Sequence, residues 1–163
     1  MTINVYDKGD KPKLQVTFSE DEAAADPTAV ALIVRDPDGN EESYLSSTGF
    51  SSQGNWDANG NSPALADGTG TVGDYYTVTV AGSANLGSGL QTFAVGDRVF
   101  YDGDTWLQLP SPQAATLTKE STGVYSREHP VHKAGSYYYR FEGSGAIHAA
   151  GENRLKVRDS VIR

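Results

Sequence analysis

The chain has 163 residues with 13 basic and 21 acidic side chains, a formal net charge of −8 and no cysteine. The acidic balance and the scattered lysines and arginines argue against nucleic acid as a partner, since phosphate binding needs clustered cations. The absence of cysteine excludes disulfides, thiolate metal centres and a thiol nucleophile, and no apolar run is long enough to cross a bilayer.

The N-terminal region opens with a strand pattern followed by an ambiguous acidic segment. Residues 14–18 alternate apolar and polar side chains with period two, which predicts a strand with one buried face. Residues 19–25 combine a serine N-cap with early acidic residues but have no apolar stripe. This segment therefore fits either a helix of two turns or an acidic surface loop.

The next elements predict a β-hairpin. Residues 30–34 are continuously apolar, which indicates a buried strand. Pro37 and Gly39 follow in a segment with turn chemistry, because proline presets φ and glycine supplies a left-handed position. Residues 41–45 can then return as the partner strand.

The middle of the chain differs from both flanks in composition. Between residues 46 and 118 there is no lysine and no glutamate, the one basic residue is Arg98, and the acidic residues are six aspartates. Such a compositional break indicates a separate module.

Three further strands are predicted near the C-terminus, at residues 123–127, 136–141 and 153–157. Many short strands separated by turns favour an antiparallel sandwich or barrel. The sequence therefore predicts an all-β protein: an immunoglobulin-like antiparallel β-sandwich, formed by residues 1–47 and 111–163, interrupted by a small β-rich inserted module of residues 48–110.

No catalytic motif emerges from the sequence. No serine lies in a nucleophile elbow between a strand and a helix. His129 and His132 have a spacing that can serve a metal, but Pro130 separates them and no carboxylate cluster completes a ligand set. These two histidines and His148 are interpreted as surface-loop residues, and the sequence predicts no enzyme activity, no metal and no cofactor.

Two aspartate-rich segments resemble parts of calcium loops, but turn chemistry explains each without an ion. The segments at Asp36 and Asp57 place glycine at the fourth position, whereas an EF-hand loop needs it at the sixth. Asparagine and aspartate side chains form such turns by accepting backbone hydrogen bonds. The segment at Asp102 is interpreted in the same way, as a tight hairpin turn.

Aromatic residues are the remaining candidates for contacts with a partner. Along residues 136–141, alternation places Tyr138 and Arg140 on the face opposite Tyr137, Tyr139 and Phe141. One of the two faces belongs to the core. Tyr138 and Arg140 are the candidates for a contact surface, because both residue types are favoured at interfaces.

Trp56, Tyr101 and Trp106 raise a second possibility within the middle module. Flat aromatic faces can stack on sugar rings while nearby aspartates accept hydroxyl hydrogen bonds. A module of about 60 residues also needs its large side chains for its own core. Glycan stacking and core packing both remain open for these three residues.

The flanking segments resemble the small immunoglobulin-like virion proteins of tailed bacteriophages. The resemblance rests on residues 5–10, 26–30, 34–39, 121–125, 134–140 and 142–146. It implies an immunoglobulin-like fold, and the Gly123-x-Tyr125 and Gly135-x-Tyr137 pairs resemble the tyrosine-corner region of such domains. The inter-sheet disulfide of antibody domains is absent.

The middle segment resembles a module of phage tail fibres and other adhesive virion proteins, through residues 55–56, 62–70, 73–78, 93–99 and 101–106. Together the two resemblances imply a virion location and a structural role without catalysis. The leading hypothesis is a capsid decoration protein that docks by its sandwich and displays the module outward.

The expected partners are therefore other virion proteins, namely capsid, neck or tail subunits. The alternatives are a host-surface glycan adhesin and a neck or tail accessory protein. The sequence leaves the oligomeric state open, with a homo-oligomer among the options. The N-terminal residues show no signal-peptide pattern, so we expect assembly in the host cytoplasm.

Overall fold

The computed structural model describes residues 4–145, 147 and 149–159, and within them it contains β-strands and no helix. The all-β prediction is confirmed, and the described part contains no helix that could span a membrane. The strands are β1 Val5–Asp7, β2 Lys13–Thr17, β3 Ser19–Glu20, β4 Ala23–Ala24, β5 Ala29–Arg35, β6 Glu41–Leu45, β7 Ser51–Asp57, β8 Asp74–Val80, β9 Gly82–Asn85, β10 Leu90–Phe93, β11 Arg98–Tyr101, β12 Trp106–Leu109, β13 Thr118–Ser121, β14 Val124–Glu128, β15 Gly135–Ser144 and β16 Ala149–Arg158.

The two flanks of the chain build two sheets around a common core. One sheet has five strands in the order β1-β16-β15-β5-β6, and the other has three in the order β13-β14-β2. All neighbours are antiparallel except β1 and β16. The cluster between the sheets, here called the first core, consists of Leu14, Phe18, Val30, Leu32, Val34, Tyr44, Leu117, Tyr125, Val131, Tyr137, Phe141, Ile147, Leu155 and Val157.

The middle of the chain builds its own sheet and its own core. Strands β12, β11, β8 and β7 form a four-stranded sheet in that order, and β9 pairs with β10 as a hairpin. Within the described residues, none of these strands shares a ladder with a strand of the flanks. The cluster enclosed here, the second core, consists of Trp56, Ala58, Leu65, Val78, Leu86, Phe93, Val99, Tyr101 and Trp106.

A third cluster joins the five-stranded sheet to the four-stranded sheet. Alternation along β5 sends Leu32 to the first core and Ala31 to the opposite face. Along β11 it likewise sends Val99 to the second core and Phe100 toward Ala31. The three-stranded, five-stranded and four-stranded sheets therefore follow one another as layers, with the first core and the third cluster between them and the second core beyond.

The acidic segment of residues 19–25 forms neither a helix nor an irregular loop. It is a short hairpin in which β3 pairs with β4. Asp21 and Glu22 close it with φ angles of 48° and 66°, the two left-handed positions of a tight hairpin turn. A segment without an apolar stripe has no face to pack, so helix propensity alone does not hold it helical.

Candidate functional site

The three aromatic residues considered for sugar stacking are buried in the second core. Trp56 is 0% exposed, Trp106 is 3% exposed and Tyr101 is 5% exposed. The Trp56 ring meets Phe93 edge to face at 5.0 Å between centroids. A sugar can stack only on a ring face that is open to solvent, so the structure corrects this expectation: these rings are packing residues.

Hydrogen bonds fix both indole rings in place. Trp56 Nε1 donates to Asn61 Oδ1 at 3.1 Å. Trp106 Nε1 donates to the carbonyl oxygens of Ala66 at 3.2 Å and Thr69 at 3.0 Å. Buried indole nitrogens need such partners, and here the glycine-rich loops of the module supply them.

Tyr138 and Arg140 lie where the alternation of β15 predicts, on the face turned away from the first core. Tyr137 and Phe141 are buried in that core, and Tyr139 packs against it. Tyr138 is 50% exposed. The face carrying Tyr138 and Arg140 is the face that the middle module partly covers, so both side chains stand at the junction of the two parts.

A groove with a volume of about 460 Å³ runs along this junction. It is here called the junction groove, and the residues that line it include Ile33, Arg35, Glu41, Tyr138, Arg140, Glu142 and Glu152 on one side and Gln91, Phe100, Leu107, Gln108 and Pro110 on the other. Its volume falls within the range of about 300–1,000 Å³ typical of small-ligand sites.

Cross-strand register explains why the groove's polar residues stand together. Arg140 pairs with Glu152 on β16 and with Ile33 on β5. Tyr138 pairs with Arg35 on β5, one row further along the same face. Sequence reasoning found Tyr138 and Arg140 but missed the others, because nothing in a strand pattern shows which strands become neighbours.

The arginines of the groove are paired with carboxylates. The Arg35 guanidinium lies 2.6 Å from Glu41 Oε1. Arg140 lies 2.5 Å from Glu142 Oε1 and 3.6 Å from Glu152 Oε1. The groove therefore offers fixed donors and acceptors side by side with little net charge.

His129 belongs to a different environment from the one predicted for it. It is 3% exposed, with Nδ1 at 3.2 Å from the Tyr44 hydroxyl and 3.4 Å from Glu42 Oε1. Burial lowers the pKa of His129 to about 4, with smaller contributions from His132 and Arg127. His129 is thus a buried residue, a correction to its interpretation as a surface-loop residue.

The other two histidines take part in no metal-binding cluster of the described residues. His132 is exposed, as predicted, and His148 lies outside the described residues. In the described ranges, no group of three or more histidines and carboxylates is placed to hold a metal ion.

The lowered pKa of His129 predicts that the folded protein loses stability as the pH falls from about 6.5 toward 4. The unfolded chain binds this proton near pH 6.5 and the folded chain only near pH 4, so acidification within that window favours unfolding. We expect the free energy of unfolding to fall by about 2–3 kcal/mol between pH 7 and pH 4.5. Urea unfolding at both pH values measures the change.

The variant His129→Gln removes the titrating group and should flatten this pH dependence. His132→Gln is the matched control, because it changes an exposed imidazole three residues away and should keep most of the slope. An unchanged slope in His129→Gln would contradict the assignment.

The hydrogen bonds of Asp36, Asp57 and Asp102 are those expected of turns without a bound ion. Asp36 Oδ1 accepts hydrogen bonds from the backbone of Asp38 and Asn40, each at 2.9 Å. Asp57 Oδ1 accepts two backbone bonds at 2.8 Å, and Asp102 Oδ1 accepts two at 2.9 and 2.8 Å. In each turn the carboxylate is satisfied by backbone N–H groups, which is the geometry of an Asx turn.

No protein-family model, curated protein or solved structure matches this chain.

Proposed function

We propose that this protein is a non-enzymatic accessory protein of a tailed-bacteriophage particle. In this proposal residues 1–47 and 111–163 form an immunoglobulin-like sandwich that docks on the capsid, and residues 48–110 form an inserted module displayed outward. The sequence resemblances motivate the proposal, and three features of the structure support it.

The strand order of the flanks supports the immunoglobulin-like assignment. In such sandwiches strands C, F and G share one sheet, while B, E and D share the other. Assigning β2, β5, β14, β15 and β16 to B, C, E, F and G reproduces this division, with β6 as C′ and β13 as D. The middle module then follows C′ and precedes D.

A hydrogen-bond pattern at the start of β15 adds to this support. The Tyr137 hydroxyl accepts bonds from the backbone N–H groups of His132 at 3.2 Å and Lys133 at 3.1 Å. A tyrosine near the start of strand F that bonds back to the preceding backbone is the tyrosine corner of immunoglobulin domains. The Tyr125 hydroxyl instead points to Asp26 Oδ1 at 3.4 Å, so the Gly123-x-Tyr125 pair does not have this geometry.

The order of the layers is the observation that carries the proposal. The middle module covers part of the five-stranded sheet, so the three-stranded sheet presents the free face of the sandwich. The middle module therefore packs on the side of the five-stranded sheet that is turned away from the three-stranded sheet. A particle bound to the three-stranded sheet would therefore leave the module pointing outward.

Co-sedimentation with capsids that lack this protein tests the proposal. We expect saturable binding of the wild-type chain. Gln15→Arg, on the exposed side of β2, should weaken binding by at least about tenfold. Leu90→Arg is the matched control, because it places the same side chain at a position of the middle module that is 77% exposed, away from the three-stranded sheet, and it should bind as the wild type does.

The possible outcomes separate the docking face from the function. Equal binding of Gln15→Arg and wild type would reject the three-stranded sheet as the docking face. Failure of the wild type to bind capsids or any tail component would reject the virion role. Saturation at about a dozen copies or fewer, as a single ring would give, would favour a neck or tail position over capsid decoration.

A further inference from the structure

Tyr138 differs from every other aromatic residue of the protein. The two tryptophans, nine tyrosines and five phenylalanines all lie in the described part of the chain. Of these, Tyr138 alone is exposed, while the rest are buried or half-buried. This ring lies in the junction groove, where it presents apolar surface that the fold does not use.

Among the residues that the structure describes, the faces of the Tyr138 ring are also clear of guanidinium groups and other aromatic rings. The Arg98 guanidinium lies over the Tyr75 ring at 4.8 Å from the ring centroid. The Arg127 guanidinium lies over the Tyr44 ring at 5.0 Å from its centroid. Within the described residues, no guanidinium or aromatic ring stacks on Tyr138 in this way. A flat ligand with an apolar face can therefore stack on it directly.

The surroundings of this ring suit hydroxyl groups. On the same sheet face, the Arg35–Glu41 pair continues the Tyr138 row onto β5 and β6, and the Arg140–Glu152 pair forms the next row, on β15 and β16. Each pair places guanidinium donors beside carboxylate acceptors, and adjacent sugar hydroxyls need a donor and an acceptor together.

The opposite wall of the groove combines apolar side chains with the amides of Gln91 and Gln108. Leu107 and Pro110 line it together with Gln108, whose side-chain nitrogen is held by Asp97 at 2.7 Å and by the Thr92 carbonyl at 2.9 Å. A ligand in the groove thus meets a ring on one side and a fixed, mainly apolar wall on the other. Such a groove, with an apolar patch beside several polar groups in fixed positions, offers both kinds of contact that a sugar ring needs.

We propose that the junction groove binds a neutral saccharide, with one sugar ring stacked on Tyr138 and its hydroxyls bonded to the flanking arginine–carboxylate pairs. Because each arginine is paired, the groove favours an uncharged sugar over an acidic one. This binding activity goes beyond the structural role proposed above and does not depend on it.

An array of neutral oligosaccharides built from glucose, galactose, mannose and N-acetylglucosamine, with uronic-acid oligomers alongside, tests the proposal on the full chain. We expect the wild type to bind at least one neutral series. A titration with the same free oligosaccharide should show that Tyr138→Ala loses at least about tenfold in affinity. Tyr138→Phe should retain most of it, because the ring face remains.

Two controls keep the test interpretable. Thermal unfolding should give the same midpoint for Tyr138→Ala and wild type, since the ring is half exposed. Glu152→Gln keeps the size of the side chain but removes a carboxylate acceptor, and it should weaken binding with no change in stability. The proposal is overturned if the wild type binds no neutral oligosaccharide, if it binds uronic-acid oligomers alone, or if Tyr138→Ala binds as tightly as the wild type.

Discussion

Replacing Trp56 by alanine should lower the free energy of unfolding by about 3–5 kcal/mol, the cost of deleting a fully buried aromatic side chain. Trp56 has no exposed surface, packs edge to face on Phe93, and donates its indole N–H to Asn61 Oδ1. Its removal leaves a cavity in the second core and an amide oxygen without this donor. Urea unfolding followed by far-ultraviolet circular dichroism measures the loss.

Tyr138→Ala is the matched control for this experiment, because it also deletes a large aromatic ring from the middle of the protein's layers. That ring is 50% exposed, so we expect a change within about 0.5 kcal/mol. A small effect of Trp56→Ala would contradict the role of the ring as a core residue. The comparison also matters for function, since any ligand binding lost in Trp56→Ala would reflect an unfolded module rather than a lost stacking platform.

Gly49→Ala should destabilise the protein by about 2–6 kcal/mol, the sum of backbone strain and a steric overlap. Gly49 follows β6, where the chain leaves the flanks for the middle module, and its φ is +87°. A Cβ built there would overlap the backbone carbonyl oxygen of Thr28. Backbone atoms cannot rotate away as a side-chain end can, so the connection itself must shift.

Gly39→Ala separates the two contributions. Gly39 has nearly the same φ, +88°, but a Cβ there meets nothing within 4 Å. We therefore expect only the strain of a left-handed alanine, about 1–2 kcal/mol. Urea unfolding of both variants gives the difference, which measures the close approach of Gly49 to Thr28. An equal loss of unfolding free energy in the two variants would show that the chain at Gly49 can move away from Thr28.

The proximity of Gly49 and Thr28 bears on how the module is held. The third cluster, in which Phe100 and Leu109 meet Ala31 and Leu45, gives the two parts a packed apolar contact. The Gly145 N–H also donates to the Asp102 carbonyl at 3.2 Å, which ties the β15–β16 connection to the β11–β12 turn. The junction groove thus has walls that are fixed to each other, as a binding site requires.

The sequence predicted the local elements well, because each follows from the side chains of its own segment. The period-two alternation of residues 14–18 and the apolar run of residues 30–34 gave strands within one residue of their observed ends. The turns at Asp36, Asp57 and Asp102 followed from local hydrogen-bond chemistry. The helix predicted for residues 19–25 was wrong, because a short stretch without an apolar stripe has no face to pack. The alternative of a surface loop gave the exposure of residues 19–24 but not their pairing as a hairpin.

What the sequence determined by itself is the all-β class, the turn chemistry and which side chains share a face of a strand. Only the tertiary structure decided what covers each face, because alternation gives two sides and does not say which layer packs on either. For that reason Trp56 and His129 could be interpreted as exposed although both are buried, whereas Tyr138 is exposed. The groove beside Tyr138 depends on the same tertiary packing, since Arg35, Leu107 and Glu152 are far apart in the chain and meet only when the five-stranded and four-stranded sheets pack together.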